Sequence, residues 1–162
     1  MQFSVEKDHS PGQWVLLSYR LPREPSTPRI TVWRKLERLG VARLGDGLVG
    51  LPADSRTREH LDWLADEIGE AGGTATVWLA TPASTSHERT IAKAMQAARA
   101  AEYRSVIEQV QGALGSIEVR RVQRRLRAEL RRIERRDFFP PPEREEARAA
   151  VAVLGADQDV PR

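Results

Sequence analysis

Nine arginines fall between residues 118 and 137 of this chain, against four acids, a local net charge of +5. Arg120, Arg121, Arg124, Arg125, Arg127, Arg131, Arg132, Arg135 and Arg136 surround an apolar series: Val119, Val122, Leu126, Leu130 and Ile133. Its spacings of 3, 4, 4 and 3 follow a helical period. A helix that buries this stripe keeps a wide cationic face. Guanidinium groups are permanently charged planar forks that match phosphate oxygens, so that face suits a nucleic-acid backbone or an inorganic oxyanion. The candidate nucleic-acid contacts are Arg120, Arg121, Arg124, Arg125, Arg131, Arg132 and Arg135. Arg29 and Arg34, on an earlier helix, are candidate oxyanion contacts, although surface salt bridges explain them equally well. The plain alternative for the long run is a solvated helix. Only Lys7, Lys35 and Lys93 among 26 basic residues are lysine, a bias that arginine-favouring codons alone produce.

Other residue types offer less chemistry. His9, His60 and His87 are far apart, and none has a partner at helical ligand spacing, so no metal site is expected. Glu59, Asp62 and Asp66 recur along one helix, where a solvated face accounts for them. Gly45-Asp46-Gly47 lacks the lysine and the strand-loop-helix setting of a phosphate loop and reads as a turn. Trp14, Trp33, Trp63 and Trp78 are expected in the core or an interface, with ligand stacking the lesser reading. Phe138 and Phe139 are expected to anchor the helical arm or dock it on a second subunit. No cofactor is implied.

The elements that would position these residues change character near residue 85. With 162 residues and 40% apolar content the chain can bury one core of ordinary size. It has no cysteine, which excludes disulfides and thiolate metal sites. No apolar run is long enough for a signal peptide or membrane span, so a cytoplasmic protein is expected. The net charge of +3 is uneven: residues 1–84 carry 10 basic against 11 acidic side chains, and residues 85–162 carry 16 against 12.

Residues 14–20 form an apolar run between Pro11-Gly12 and Pro22, a strand expected to be buried on both faces. Thr27-Pro28 fits a helix start, Ile30, Trp33, Leu36 and Leu39 its buried stripe, and Gly40 its end. Residues 41–44 and 48–51 make a hairpin across Gly45-Asp46-Gly47. Asp54 or Ser55 caps a helix with the stripe Leu61, Leu64, Ala65 and Ile68, ended by Gly72-Gly73. Residues 74–80 supply the last strand. The order β-α-β-β-α-β predicts a ferredoxin-like α+β domain over residues 13–82. Residues 85–154 are expected to form a helical extension. It opens on a capping box between Thr85 and Glu88 and runs through Ile91, Met95, Ala98, Tyr103, Val106, Val110 and Leu114. It then turns at Gly112–Gly115 into the arginine helix as an antiparallel hairpin, and ends in a short helix over 143–154. Residues 155–162 are expected to fray.

The succession Trp14-Val-Leu-Leu-Ser-Tyr-Arg-Leu-Pro22, Pro25-Ser26, Arg29-Ile-Thr-Val-Trp33-Arg34-Lys-Leu36, Leu39-Gly40 and Leu44-Gly-Asp46-Gly47 to Leu51-Pro52 resembles the N-terminal region of the ChrB chromate-resistance regulatory family. Glu102-Tyr103 and Asp137-Phe138-Phe139 are similar to that family's helical extension. The resemblance implies a cytoplasmic regulator, dimeric and acting on DNA at an operator, with chromate or another oxyanion as effector. Members commonly carry a further C-terminal domain, which a chain ending at Arg162 is expected to lack. A weaker likeness links Ser18-Tyr19-Arg20-Leu21-Pro22 to the first strand of ferredoxin-like CRISPR nucleases and to the C-terminal part of the PaaX repressor. Where those nucleases place a metal-binding aspartate, this chain has Arg20, a cation that repels a divalent metal. The expected function is therefore a non-enzymatic DNA-binding regulator. A protein-interaction or dimerisation module is the alternative, and a metal-dependent nuclease ranks below it.

Overall fold

A computed structural model describes residues 12–154 and 156. His9 and all of the expected frayed tail except Ala156 lie outside the described residues. The elements are β1 (Trp14–Arg20), α1 (Thr27–Leu39), β2 (Ala42–Gly45), β3 (Leu48–Pro52), α2 (Ser55–Glu70), β4 (Thr74–Ala80), α3 (Thr85–Ala113), α4 (Val119–Arg135) and α5 (Glu143–Val153). The strands form one antiparallel sheet in the order β2-β3-β1-β4. Each β-α-β connection therefore skips one strand, which is the ferredoxin-like interleaving that the element order implied. The chain divides into two compact units, residues 1–93 and 94–162, with the boundary inside α3.

In the first unit the buried residues are Val15 and Leu17 of β1, Val49 and Leu51 of β3, Val32 and Leu36 of α1, and Leu61, Leu64 and Ile68 of α2. Complete burial of such side chains stabilises by about 1.5–3 kcal/mol each. Asp54 caps α2 reciprocally: its Oδ1 accepts from the Thr57 amide at 2.7 Å, and Thr57 Oγ1 accepts from the Asp54 amide at 3.0 Å. Gly40 closes α1 in the left-handed region at φ 69°, as a C-terminal glycine should.

Several expectations are corrected. The first strand is buried on both faces only over Trp14 and Val15, and its far end at Arg20 is exposed. Helix α1 has Ser26, one residue earlier than expected, at its N-cap. It buries Val32 and Leu36, while Ile30 and Trp33 are 47% and 52% exposed. A helical stripe can be drawn through either set. Arg29 and Arg34 flank Ile30 and Trp33, so burying that face would desolvate two guanidiniums, a cost the Val32-Leu36 face avoids. Lys35, beside that face, reaches Glu67 of α2 instead. Of the four tryptophans only Trp14 is in the core; Trp63 and Trp78 are exposed like Trp33.

The expected Thr85-Glu88 capping box is also absent. Ser84 caps α3, its Oγ accepting from the His87 amide at 3.1 Å. Glu88 turns inward, where its Oε1 accepts from the Trp14 indole N–H at 2.9 Å and the Gly12 amide at 3.0 Å. Both Glu88 and Trp14 are buried, so the indole N–H needs an internal acceptor, and that demand outweighs a solvated cap.

The second unit is a three-helix cluster. Tyr103, Val106 and Val110 of α3, Val119, Leu126, Leu130 and Ile133 of α4, Ala147 and Val151 of α5, and Leu154 share one buried core. Ala98 and Leu114, expected in the α3 stripe, are exposed, and Ala100 and Ala113 are buried in their place. The hairpin is antiparallel, since Gln109 meets Arg125 while Glu102, earlier on α3, meets Arg136, later on α4.

Candidate functional site

The α4 stripe Val119, Leu126, Leu130 and Ile133 is buried, which fixes what the opposite side displays. At 3.6 residues per turn, Arg120, Arg124, Arg127, Arg131 and Arg135 succeed one another at steps of 4, 3, 4 and 4 along that side. All five are exposed. With a rise of about 1.5 Å per residue, the ridge places a guanidinium every ~4.5–6 Å. Arg121, Arg125 and Arg132, also exposed, flank it. All seven candidate contacts thus lie on one cationic face, and Arg127, which was not among them, belongs to the same ridge.

Internal partners take part of this charge, at Arg120 among others. Arg121 lies 3.7 Å from Glu118 and Arg125 donates to Gln109 at 3.0 Å. Among the described residues, no acceptor engages the guanidiniums of Arg124, Arg127, Arg131, Arg132 or Arg135. Arg132 and Arg135 also sit in the last turn, where the helix dipole favours cations.

The remaining arginine of the run behaves differently. Arg136 is largely buried and pairs with Glu102 at 3.0 Å; Arg99 pairs with the same carboxylate at 3.3 Å. Beside them the Tyr103 hydroxyl donates to Asp137 Oδ2 at 2.8 Å. The Asp137 side chain is wholly buried. Burial pushes the Asp137 carboxyl above the usual carboxylate range, despite the Tyr103 hydroxyl and the nearby Arg144 and Arg99. Burial, and then the bond to Asp137, raises the Tyr103 phenol. These residues hold α3 to the end of α4, and Phe139, just beyond, is buried as expected of an anchor.

Arg29 and Arg34 line an open groove of about 1360 Å³ in the first unit. Arg20 at the end of β1, Arg23 in the loop before α1 and Arg43 of β2 line it too, against one carboxylate, Asp46. Tyr19, Ile30 and Trp33 supply apolar wall. The groove is held open where the hairpin meets β1: the Tyr19 amide donates to the Gly47 carbonyl at 2.8 Å. Gly47 has φ +68°, and a Cβ there would stand 2.4 Å from the Tyr19 carbonyl oxygen, so only glycine fits. Arg43 is offset by Glu37 at 2.6 Å. Arg20, Arg23, Arg29 and Arg34 have no carboxylate partner among the described residues.

Arg20 therefore belongs to an anion-attracting wall. Among the described residues, no three His, Asp or Glu side chains gather as metal ligands. His60 stacks edge-on against Trp63 at 6.0 Å, and His87, Glu59, Asp62 and Asp66 are exposed. No helix among the described residues is long and apolar enough to cross a membrane.

The family model for "Protein ChrB, N-terminal" matches residues 29–121. This chain belongs to the ChrB N-terminal family. It is also 29% identical over 133 residues to "Protein ChrB" of Cupriavidus metallidurans, covering 78% of this chain and 40% of that protein. The chain thus spans about two-fifths of its ChrB relative's length. No solved structure matches it. The ChrB family match starts in the first turn of α1, at Arg29, takes in Arg34, and ends at Arg121, two residues into the arginine run. Most of the ridge therefore lies beyond it.

Proposed function

We propose that this ChrB-family chain is a non-enzymatic, cytoplasmic regulatory module of chromate resistance that binds operator DNA through α4. The observation that carries this reading is the ridge Arg120-Arg124-Arg127-Arg131-Arg135, exposed along one side of a helix whose other side is buried. A linear array of guanidiniums at steps of ~4.5–6 Å favours successive backbone phosphates, and such contacts release counterions. Titrating DNA from upstream of the chain's own gene at several salt concentrations tests it. Each phosphate contact contributes about 0.9 to the slope of log K against log salt. The variant Arg124→Gln, Arg131→Gln, Arg135→Gln should flatten that slope in proportion. An unchanged slope and affinity would remove α4 as the DNA surface.

A second reading, a protein-interaction or homodimerisation module, draws on exposed apolar side chains: Trp63 and Trp78, and Ile117, 97% exposed in the α3-α4 turn. The two readings combine if the DNA-binding form is a dimer. Light scattering at micromolar concentration tests the homodimer, and a monomer would exclude it.

A further inference from the structure

We propose that the groove of the first unit is a second anion site, separate from α4, that takes a nucleotide unit: phosphate on its arginines and base on Trp33. Size is the first reason. Sites for drug-sized ligands run to about 300–1,000 Å³, and this groove, at about 1360 Å³, is far larger than one tetrahedral oxyanion requires.

Charge is the second reason. Arg20, Arg23, Arg29 and Arg34 approach from a strand end, a loop and a helix, and among the described residues none of them is paired with a carboxylate. Guanidiniums converging from several elements onto a concave surface suit a multiply charged phosphate, which each can engage through two parallel hydrogen bonds.

The apolar wall is the third. Trp33 stands one helical turn from Arg29, and Ile30 one turn from Arg34, so ring and cations alternate on one face. A half-exposed indole beside guanidiniums offers a stacking surface for a flat base, which every nucleobase can use. Asp46, the single carboxylate of the lining, can accept from a sugar hydroxyl, a ring N–H or an exocyclic amine of a nucleotide. The unit could come from a free nucleotide or from a nucleic-acid strand.

Calorimetric titration of the full chain with ATP, inorganic tripolyphosphate and single-stranded oligothymidylate tests this. ATP or the oligonucleotide should bind saturably and more tightly than tripolyphosphate. Tighter ATP identifies a free nucleotide as the source, and a tighter oligonucleotide identifies a strand. Trp33→Ala should weaken the tighter ligand about tenfold, the size of one lost stacking contact, with little effect on tripolyphosphate, and Trp33→Phe should recover most of the loss. Arg29→Gln with Arg34→Gln should weaken all three probes. Equal affinity for tripolyphosphate and the base-bearing ligands, insensitivity to Trp33→Ala, or no saturable binding would each overturn the proposal.

Discussion

Arginine meets two different fates on α4 and in the groove of the first unit. On α4 the charges follow one another along a single helix, and their alignment depends on nothing but the burial of the opposite stripe. In the groove they come from β1, a loop, α1 and β2, and their convergence depends on how a hairpin is pinned to a strand. The first arrangement is a line and favours a repeating polyanion. The second is a concavity and favours one compact ligand. A third set, Arg99, Arg136 and Arg144, is drawn inward toward Glu102 and Asp137. Composition alone thus says nothing about whether an arginine is available.

The largest expected effect strikes the support of the line. Leu126 is fully buried in the three-helix core, so Leu126→Ala should cost about 2–5 kcal/mol in urea unfolding and lower DNA affinity through loss of α4. Trp33→Ala, which removes a half-exposed side chain, should cost far less stability. Equal losses would erase the distinction between a surface that is backed and one that is presented.

Gly47→Ala strikes the pin of the groove. A Cβ at φ +68° and 2.4 Å from the Tyr19 carbonyl oxygen forces backbone to move, at about 1–3 kcal/mol. Affinity for a nucleotide probe should fall with it, while the salt slope of DNA binding stays as it was. A change in the DNA slope instead would mean that the two surfaces are one.

What the sequence made legible follows the same division. The apolar stripe of α4 has one consistent reading, because arginines occupy most positions around it, and its complement gives the ridge directly. The hairpin and strand order followed from Gly45-Asp46-Gly47 and from the alternation of elements. The groove was legible only through Arg29 and Arg34, which share a helix. Arg20, Arg23 and Arg43 are brought to them by the fold, and no local period links the three. Trp33 and Ile30 looked like core because apolar spacing alone cannot say which of two overlapping stripes faces inward; the charges beside them decided it. Glu88 looked like a cap because its partner, the Trp14 indole, lies 74 positions away. The inward arginines were hidden for a similar reason: Arg136 is adjacent to Arg135, but the 100° between neighbours on a helix turns one into the α3 interface and leaves the other in water.

That inward set yields two further effects. Tyr103→Phe removes the hydroxyl that donates to the buried Asp137 carboxylate and should cost about 1–3 kcal/mol, since the acceptor stays buried without it. Unchanged stability would mean that the Tyr103-Asp137 motif does not hold the hairpin together.

The smallest effect concerns pH. Asp137 has its carboxyl raised in the folded protein from the ordinary 3.8, chiefly by burial, so between that value and the raised one the folded state holds the proton more tightly than the unfolded chain. Stability from this group is therefore greatest at low pH and is lost as pH rises through the folded value. Asp137→Asn cannot titrate. The stability of the parent relative to this variant should be higher at about pH 4 than at about pH 7, compared by urea midpoints. Other carboxylates titrate in both proteins and cancel in the difference. If the parent instead improves against the variant on going to neutral pH, then Arg144 and Arg99 outweigh burial, and the inward arginines stabilise the Asp137 carboxylate rather than merely accompany it.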